Sequence, residues 1–520
     1  MSTKTRSQYS ILNVFSGVFG QVLTMLLGFV TRTVFIYTLG KSYLGISGLF
    51  QNVLQILSIT DLGLESAIVF SLYKPLAEKD EMKIASIMAL YKKAYRVIGL
   101  IVFCVGLCLM PALPFLIKGK TDLIDVHLVF LLYLFQTCSS YLFFAYCRTI
   151  YVADQHGYKT SVIGAMMRVV ASVAEIIVLV VFHNFYVYLI IGISTTILTN
   201  IVIRIFAQRD YPCIKKKEVE KLPKEELSTI KKNVVGSSFY KICGVVTNST
   251  DNLLISAMVG VDMVGIYSNY LLFTNYIQIF LNLVFNGVTA SVGNLYVTES
   301  QEKNETVFNR LTFLNFWLYG FCGIALFCLI NPFICIWLGD TSYLLPTQTV
   351  FIIFFYLVLV GLQYSLKSYR SACGLFWKGK FRPIATVVIN LGVSIALGSF
   401  MGLDGILIGT IASHVLTLFW YDPILIYREV FHKSSKGYFF RYLANLIGVV
   451  VVGCGLYYLL SFLPYTIPFF ILRILVVVAV PNGLIALIYC RSDSFKYVMN
   501  SFVKPLLRRV LKKLKIKRST

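Results

Sequence analysis

Charged side chains set inside long apolar runs are the groups of this chain with the most specific chemistry. Arg32, Arg168, Lys241 and Arg473 are the basic ones, and Asp61, Glu65, Glu175 and Asp251 are acids in similar settings. In a lipid-like environment an ionisable side chain costs at least about 2.5–3.5 kcal/mol, so each needs a partner, a water-filled cavity or a charged ligand. A guanidinium suits bidentate phosphate recognition better than an ammonium does. Arg32 therefore reads as a phosphate or sugar contact, or as one half of a structural pair. Lys241 is a weaker candidate for such contact, because its stem could carry the ammonium to the inner surface. Arg148 and Arg370 stand near the ends of apolar runs, and Lys367 shares a helical face with Arg370 at i, i+3. These three could capture a diphosphate, or simply anchor helix ends. Arg168 and Glu175 lie seven residues apart on one face, about 10 Å along a helix. They could relay a proton or sodium ion, although satisfying neighbours is the favoured reading. Asp61 and Glu65, at i, i+4 with Gly63 between them, could share a coupling ion or brace a helix irregularity. Asp251 falls beside the repeat equivalent of Arg32. His183, His414 and Arg473 read as interfacial or packing residues.

The elements that must position these groups follow from composition. Of the 520 residues, 57% are apolar and 14% charged, and the mean hydropathy is +0.76. Soluble domains carry roughly 25% charged residues, so this chain has too few to cover an aqueous surface. The apolar runs do not alternate as barrel strands do. They are long enough to span the ~30 Å hydrocarbon core as helices. The fold class is all-α polytopic membrane protein. Fourteen spans are predicted, at about 11–38, 44–73, 96–117, 124–148, 160–182, 185–207, 233–259, 264–296, 311–337, 348–372, 382–401, 404–427, 442–463 and 465–490.

Lys and Arg orient them. With the N-terminus inside, 40 of the 47 fall in inward segments and only Lys41, Lys118 and Lys120 in outward loops. Both termini are thus expected in the cytoplasm. The first apolar stretch is too long for a cleavable signal peptide and leads straight into a second span. The 12 cysteines are scattered without metal spacing and read as apolar filler. Asn248-Ser249-Thr250 matches a glycosylation sequon but falls inside a predicted helix. Much of the net charge of +23 sits in the tail, where seven of its eight Lys and Arg crowd into 508–518. Phe502, Leu506, Val510 and Leu514 share a face there, so the tail reads as an amphipathic helix on anionic lipid, and nucleic acid is not an expected partner.

Displacing the chain by 220 residues superimposes its halves. Asn13 meets Asn233, Gly40 meets Gly260, Gly45 meets Gly265, Ile46 meets Ile266, Ile59 meets Ile279, Ser71 meets Ser291 and Lys83 meets Lys303. At a shift of 222, Arg148 meets Arg370 and Gly157 meets Gly379. Two six-helix lobes related by a parallel repeat are expected at 1–207 and 233–430. A cytoplasmic linker at 208–232, accessory helices 13–14 within 431–490 and the basic tail at 491–520 complete the plan. Two such lobes around a cleft are the architecture of alternating-access transport.

The stretch from Gly28 through Thr31-Arg32-Thr33 and Leu39-Gly40 to Gly45 resembles the opening helix and first turn of bacterial polysaccharide flippases. Asp61-Leu-Gly63-Leu-Glu65 resembles their second helix. The stretch from Asp251 through Gly260 and Gly265 to Tyr267-Ser268 is similar to their seventh and eighth helices. These flippases belong to the multidrug/oligosaccharidyl-lipid/polysaccharide (MOP) exporter superfamily. Spans 13–14 are similar to the extra pair of the lipid II flippase branch, whereas many O-antigen flippases have only twelve spans. The resemblance covers spans 1–12. It implies an oligosaccharide on undecaprenyl pyrophosphate, moved between leaflets of the bacterial plasma membrane for capsule, exopolysaccharide or O-antigen synthesis. It also implies other polysaccharide-assembly membrane proteins as candidate partners, and no cofactor beyond a coupling H+ or Na+.

A multidrug or metabolite antiporter of the same superfamily is the alternative, although a cavity for cationic drugs should favour acids over arginines. An enzyme is the third reading. A polymerase would be expected to carry a large outer loop, and an acyltransferase a mid-membrane His with an acid partner; neither pattern is present.

Overall fold

The computed structural model describes residues 6–58, 64–117, 125–216, 249–298, 300–373 and 381–500, with a few positions between them. They fold into helices. In chain order these include α1 (Arg6–Leu39), α2 (Lys41–Leu57), α3 (Leu64–Glu78), α4 (Glu81–Leu109), α5 (Val126–Leu142), α6 (Cys147–Ala153), α7 (Gly157–Phe182) and α8 (Phe185–Asp210). The later ones include α9 (Val261–Thr298), α10 (Gln301–Leu338), α11 (Thr347–Gly361), α12 (Tyr364–Ala372), α13 (Arg382–Met401), α14 (Leu403–Leu416) and α15 (Leu418–Ile426). Then come α16 (Lys436–Ser461), α17 (Ile467–Tyr489) and α18 (Asp493–Val498).

Among the described residues ten helices are long and apolar enough to cross a membrane, or eleven when α5 and α6 are counted as one bent span. This is a multi-pass membrane protein. Of the fourteen predicted spans three are not in that count: 44–73 and 233–259 run partly outside the described residues, and 264–296, within α9, is not among the ten or eleven. Lys241, Asp61, the C-terminal amphipathic pattern and most of the 208–232 linker also lie outside.

Polar caps start several of the helices, as they must where orphan N–H groups have little water to turn to. Asp80 accepts from Lys83 N, Asp125 from His127 N and Leu128 N, and Asn184 from Tyr186 N and Val187 N. One predicted span, 124–148, is broken. Between α5 and α6 the chain bends by 53°, with Phe144 at φ 63°, a backbone region that costs a bulky residue energy.

The chain divides into two compact units, Met1–Ser268 and Asn269–Thr520. In the first, α7 packs along α1 and α8, while α5 packs on α4 and α8. The unit also takes in the helical residues 249–258 and the start of α9. There Gly45 and Gly265 allow α2 and α9 to touch backbone to backbone: a Cβ on Gly45 would lie 2.0 Å from the Val261 carbonyl oxygen, and one on Gly265 would lie 2.3 Å from that of Lys41. Ser42 Oγ donates to Asp262 Oδ1 at 2.7 Å beside them. Lys41, Ser42 and Gly45 are the partners of Val261, Asp262 and Gly265 in the 220-residue repeat. Residue i on j′ with j on i′ is the pattern that a two-fold relation between copies produces.

In the second unit α10 is the axis, contacting α11, α16 and α17. The accessory helices are bound to α10 and α11 by specific bonds as well as by apolar area. Trp317 Nε1 donates to Asn482 Oδ1 at 2.7 Å, and Tyr442 OH donates to the Leu359 carbonyl at 2.6 Å. Helices α13 and α14 form the tightest hairpin, since a Cβ on Gly405 would stand 2.2 Å from the Leu397 carbonyl oxygen.

Candidate functional site

The first unit contains a cleft of about 590 Å³ between α1, α6 and α7. Its walls are written as helical stripes: Gly17, Gly20, Gln21 and Thr24 on α1, and Gly157, Thr160, Ser161, Gly164 and Arg168 on α7. These positions recur at i+3, i+4 and i+7, so they share one face of each helix. The opposite faces are apolar and exposed, with Phe19, Val22, Leu26 and Val30 on α1 and Val162, Met166, Val169 and Val173 on α7. Lipid takes the second face and polar groups keep the first. The glycines leave room for side chains from across the cleft. Gly164 is the clearest case, its Cβ position lying 4.0 Å from Arg148 Nη2.

Two guanidiniums, Arg148 and Arg168, line this space, and no carboxylate is among the residues lining it. Arg148 is exposed and Arg168 is half-buried. Arg168 reaches Glu175 Oε1 at 3.5 Å, and Glu175 is buried. The Thr24, Thr160 and Ser161 hydroxyls each donate to a carbonyl of their own helix and keep lone pairs for sugar hydroxyls, and the amide of Gln21 completes the wall with both a donor and an acceptor. Below α6 a second polar group holds the helix ends. Lys159 and Tyr151 both donate to Asp210, at 2.5 and 2.9 Å, and Tyr211 donates to Asp154 at 2.5 Å. Burial, reinforced by Asp154, pushes the Tyr211 hydroxyl well above its ordinary value, so it remains a donor.

The other sequence candidates lie elsewhere. Arg32 donates from Nη2 to Ser268 Oγ at 2.5 Å, joining α1 to the Gly265 crossing rather than to the cleft wall. Glu65 is exposed, and Asp251 is half-buried in the helix before Gly260. In the second unit Arg370 is buried at 5% exposure, and its Nη1 donates to Asp422 Oδ1 at 3.2 Å. Arg382 donates to the same carboxylate. Lys367, exposed, rests its ammonium 5.5 Å from the Tyr364 ring centre. The repeat-equivalent arginines thus differ in setting: Arg148 borders open space, whereas Arg370 is held in a buried triad. Arg473, 2% exposed, donates to the Leu463 carbonyl at 2.6 Å, just past the end of α16. It occupies the position where a cation suits a helix C-terminus. His414 approaches Tyr356 OH at 3.4 Å.

No family model and no curated protein matches the chain. Solved structures do. The lipid II flippase MurJ, in an inward closed conformation, matches with TM-score 0.63 over 92% of this chain and 99% of its own, at 14% identity. A multidrug resistance MATE transporter of the MOP superfamily, inward-facing, matches with TM-score 0.58 over 77% of this chain and 94% of its own, at 16% identity. The chain shares the fold of these two proteins. A further MOP superfamily transporter, from Pyrococcus furiosus and described as having a binding pocket of reversed polarity, matches with TM-score 0.54 at 14% identity, over 83% of this chain and all of its own. At such identities the likeness of this chain to these proteins is one of architecture, and substrate has to be argued from its own cleft.

Sequence reasoning passed over Gln21, Thr24, Thr160 and Ser161, because neutral polar residues cost little in a span. Their signal was periodic: the stripes Gly17/Gln21/Thr24 and Gly157/Ser161/Gly164/Arg168. It also passed over Asp422, an acid beside Pro423 inside a predicted span.

Proposed function

We propose that this protein is a flippase that carries an oligosaccharide linked to a polyprenyl pyrophosphate across the bacterial plasma membrane by alternating access. The observation that carries the reading is the cleft of the first unit, where Arg148 and Arg168 face a polar space with no carboxylate among the lining residues. A diphosphate offers several oxygens to bidentate donors, and charge-assisted bonds of this kind are about twice as strong as neutral ones. The hydroxyls and Gln21 provide for the sugar. With the N-terminus in the cytoplasm, Gly17–Thr24 and Gly157–Arg168 lie in the inner half of the membrane, where such a lipid is made. The polyprenyl tail stays in lipid while the headgroup enters. Arg32, tied to the α2–α9 crossing, meets the headgroup later in the cycle, and Arg370, Lys367 and Lys241 add positive charge for the second lobe. The basic tail holds anionic lipid at the inner surface.

A MATE-type exporter of organic cations would share the fold, but a lining of two arginines without an acid repels such cargo. The reading is tested in cells that depend on this chain for a surface polysaccharide. Arg148→Ala and Arg32→Ala, present at normal levels, should each depress surface polysaccharide and leave its lipid-linked precursor inside. Full export by both variants would remove the reading.

A further inference from the structure

Arg168 serves two sets of groups. Its side chain lines the cleft, and its Nη1 stands 3.5 Å from Oε1 of Glu175, two turns further along α7. Glu175 is 4% exposed, and among the described residues its Oε2 has no hydrogen-bond partner. Ser172, one turn back on the same helix and fully buried, has a hydroxyl that likewise lacks one among the described residues. From the neighbouring helices, Tyr133 of α5 and Tyr188 of α8 lie within electrostatic reach of Glu175. Arg32 of α1 acts on Tyr188, and Arg168 is the cation acting on Glu175 itself. A charge-assisted N–H···O bond is normally about 2.7–2.9 Å long. At 3.5 Å the pair is loose, and the guanidinium can be drawn the other way.

We infer that Glu175 is a proton site coupled to the cleft, in which an anionic headgroup and the Glu175 carboxylate compete for the Arg168 guanidinium. The inference rests on the anion-binding reading of the cleft given above. A diphosphate entering beside Arg148 takes Arg168 as its second donor. Glu175 is then a buried carboxylate without its counter-charge, a costly state that a proton from solvent in the cleft relieves. The proton binds Oε2, the oxygen without a partner among the described residues. A sodium ion fits this site worse, because it needs several oxygen ligands where a proton needs one, and on this face of α7 only Glu175 Oε2 and the Ser172 hydroxyl are without partners among the described residues. Linkage makes the coupling reciprocal: acid pH favours the anion, and the anion favours the proton.

The test uses the full chain in nanodiscs with inorganic pyrophosphate as the probe, titrated calorimetrically at pH 6 and pH 8 in buffers of different ionisation enthalpy. Glu175→Gln, which cannot compete for Arg168 as a charge, should bind pyrophosphate ~5–150-fold tighter than wild type at pH 8, the range of ordinary coupling. That advantage should shrink at pH 6. Wild type should take up close to one more proton per pyrophosphate than Glu175→Gln. Equal affinities at both pH values, or an unchanged ratio, overturn the inference, as does a sodium dependence that Glu175→Gln abolishes. If Glu175→Gln does not fold, Glu175→Asp should keep the pH dependence, and its loss there overturns the inference equally. Arg148→Ala separates the two readings. Weakened pyrophosphate binding in Arg148→Ala with no pH-dependent Glu175 effect sinks only the coupling. Absence of pyrophosphate binding, or indifference to Arg148→Ala, sinks the anion cleft and the coupling together.

Discussion

Alanine at Gly45 is the perturbation whose consequence can be worked most fully from the structure. The added Cβ would lie 2.0 Å from the Val261 carbonyl oxygen and 2.8 Å from its carbon, where ordinary contact begins at 3.4 Å. Helices α2 and α9 would have to part by at least the difference of 1.4 Å, taking the Ser42–Asp262 bond with them. Backbone is on the receiving side, so no rotamer change relieves the clash. Overpacking of this kind costs typically about 1–3 kcal/mol, which disfavours the closed crossing by ~5–150-fold. In alternating access that contact has to open and close, so an equilibrium shift of this size should slow transport without unfolding the chain. Paired cysteines at Ser42 and Asp262, in a background lacking the 12 native cysteines, report the crossing by oxidative cross-linking. Gly45→Ala and Gly265→Ala should each lower the cross-linking yield and surface polysaccharide export. Gly48→Ala, whose Cβ would meet only Val264 Cγ1 at 3.4 Å, serves as the tolerated control. Unchanged cross-linking and export in both Gly45→Ala and Gly265→Ala would show that the crossing is not held by backbone contact and that the reasoning is wrong.

Asp422→Asn leaves Arg370 and Arg382 without their shared carboxylate; breaking a buried pair costs about 3–5 kcal/mol, so thermal unfolding in detergent should shift clearly downward, and an unchanged midpoint would contradict the triad. Arg148→Lys should retain part of the export lost in Arg148→Ala if charge alone matters, and little of it if bidentate geometry does; surface polysaccharide distinguishes the two. Cysteine labelling in intact cells should find the 204–232 segment protected from impermeant reagents, as the positive-inside count requires, and strong labelling there would invert the topology. Gly405→Ala should separate α13 from α14, lowering thermal stability in detergent, because the clash is with the Leu397 carbonyl.

The membrane class was legible because it depends on patterns that lipid enforces residue by residue. The repeat register even anticipates which residues meet at the α2–α9 crossing, since Gly45 and Gly265 are equivalent in it. The bend after α5 was not legible: 141–145 is an apolar run without glycine or proline, and nothing in it announces the φ of 63° at Phe144, whose ring centre lies 3.8 Å from the Arg204 guanidinium of α8. Arg148 and Arg370 looked alike in sequence. Their difference is set by Asp422, which accepts from both Arg370 and Arg382 across three helices, and such pairings depend on three-dimensional packing that spacing along the chain does not reveal. The cleft itself was half legible. Arg168 stood out by its insertion cost and Arg148 by its place at a span end and in the repeat, while its glycines and hydroxyls were visible only as faces of a helix.

The central claim is translocation of a lipid-linked diphosphate, and reconstitution addresses it most directly. Purified protein is placed in liposomes containing a polyprenyl-pyrophosphate-linked oligosaccharide, and the sugar exposed on the outer leaflet is followed with a membrane-impermeant lectin. Wild type should raise the exposed fraction over protein-free liposomes, and Arg148→Ala should bring it close to background. Exposure that does not exceed protein-free liposomes, or that Arg148→Ala leaves undiminished, would contradict the account.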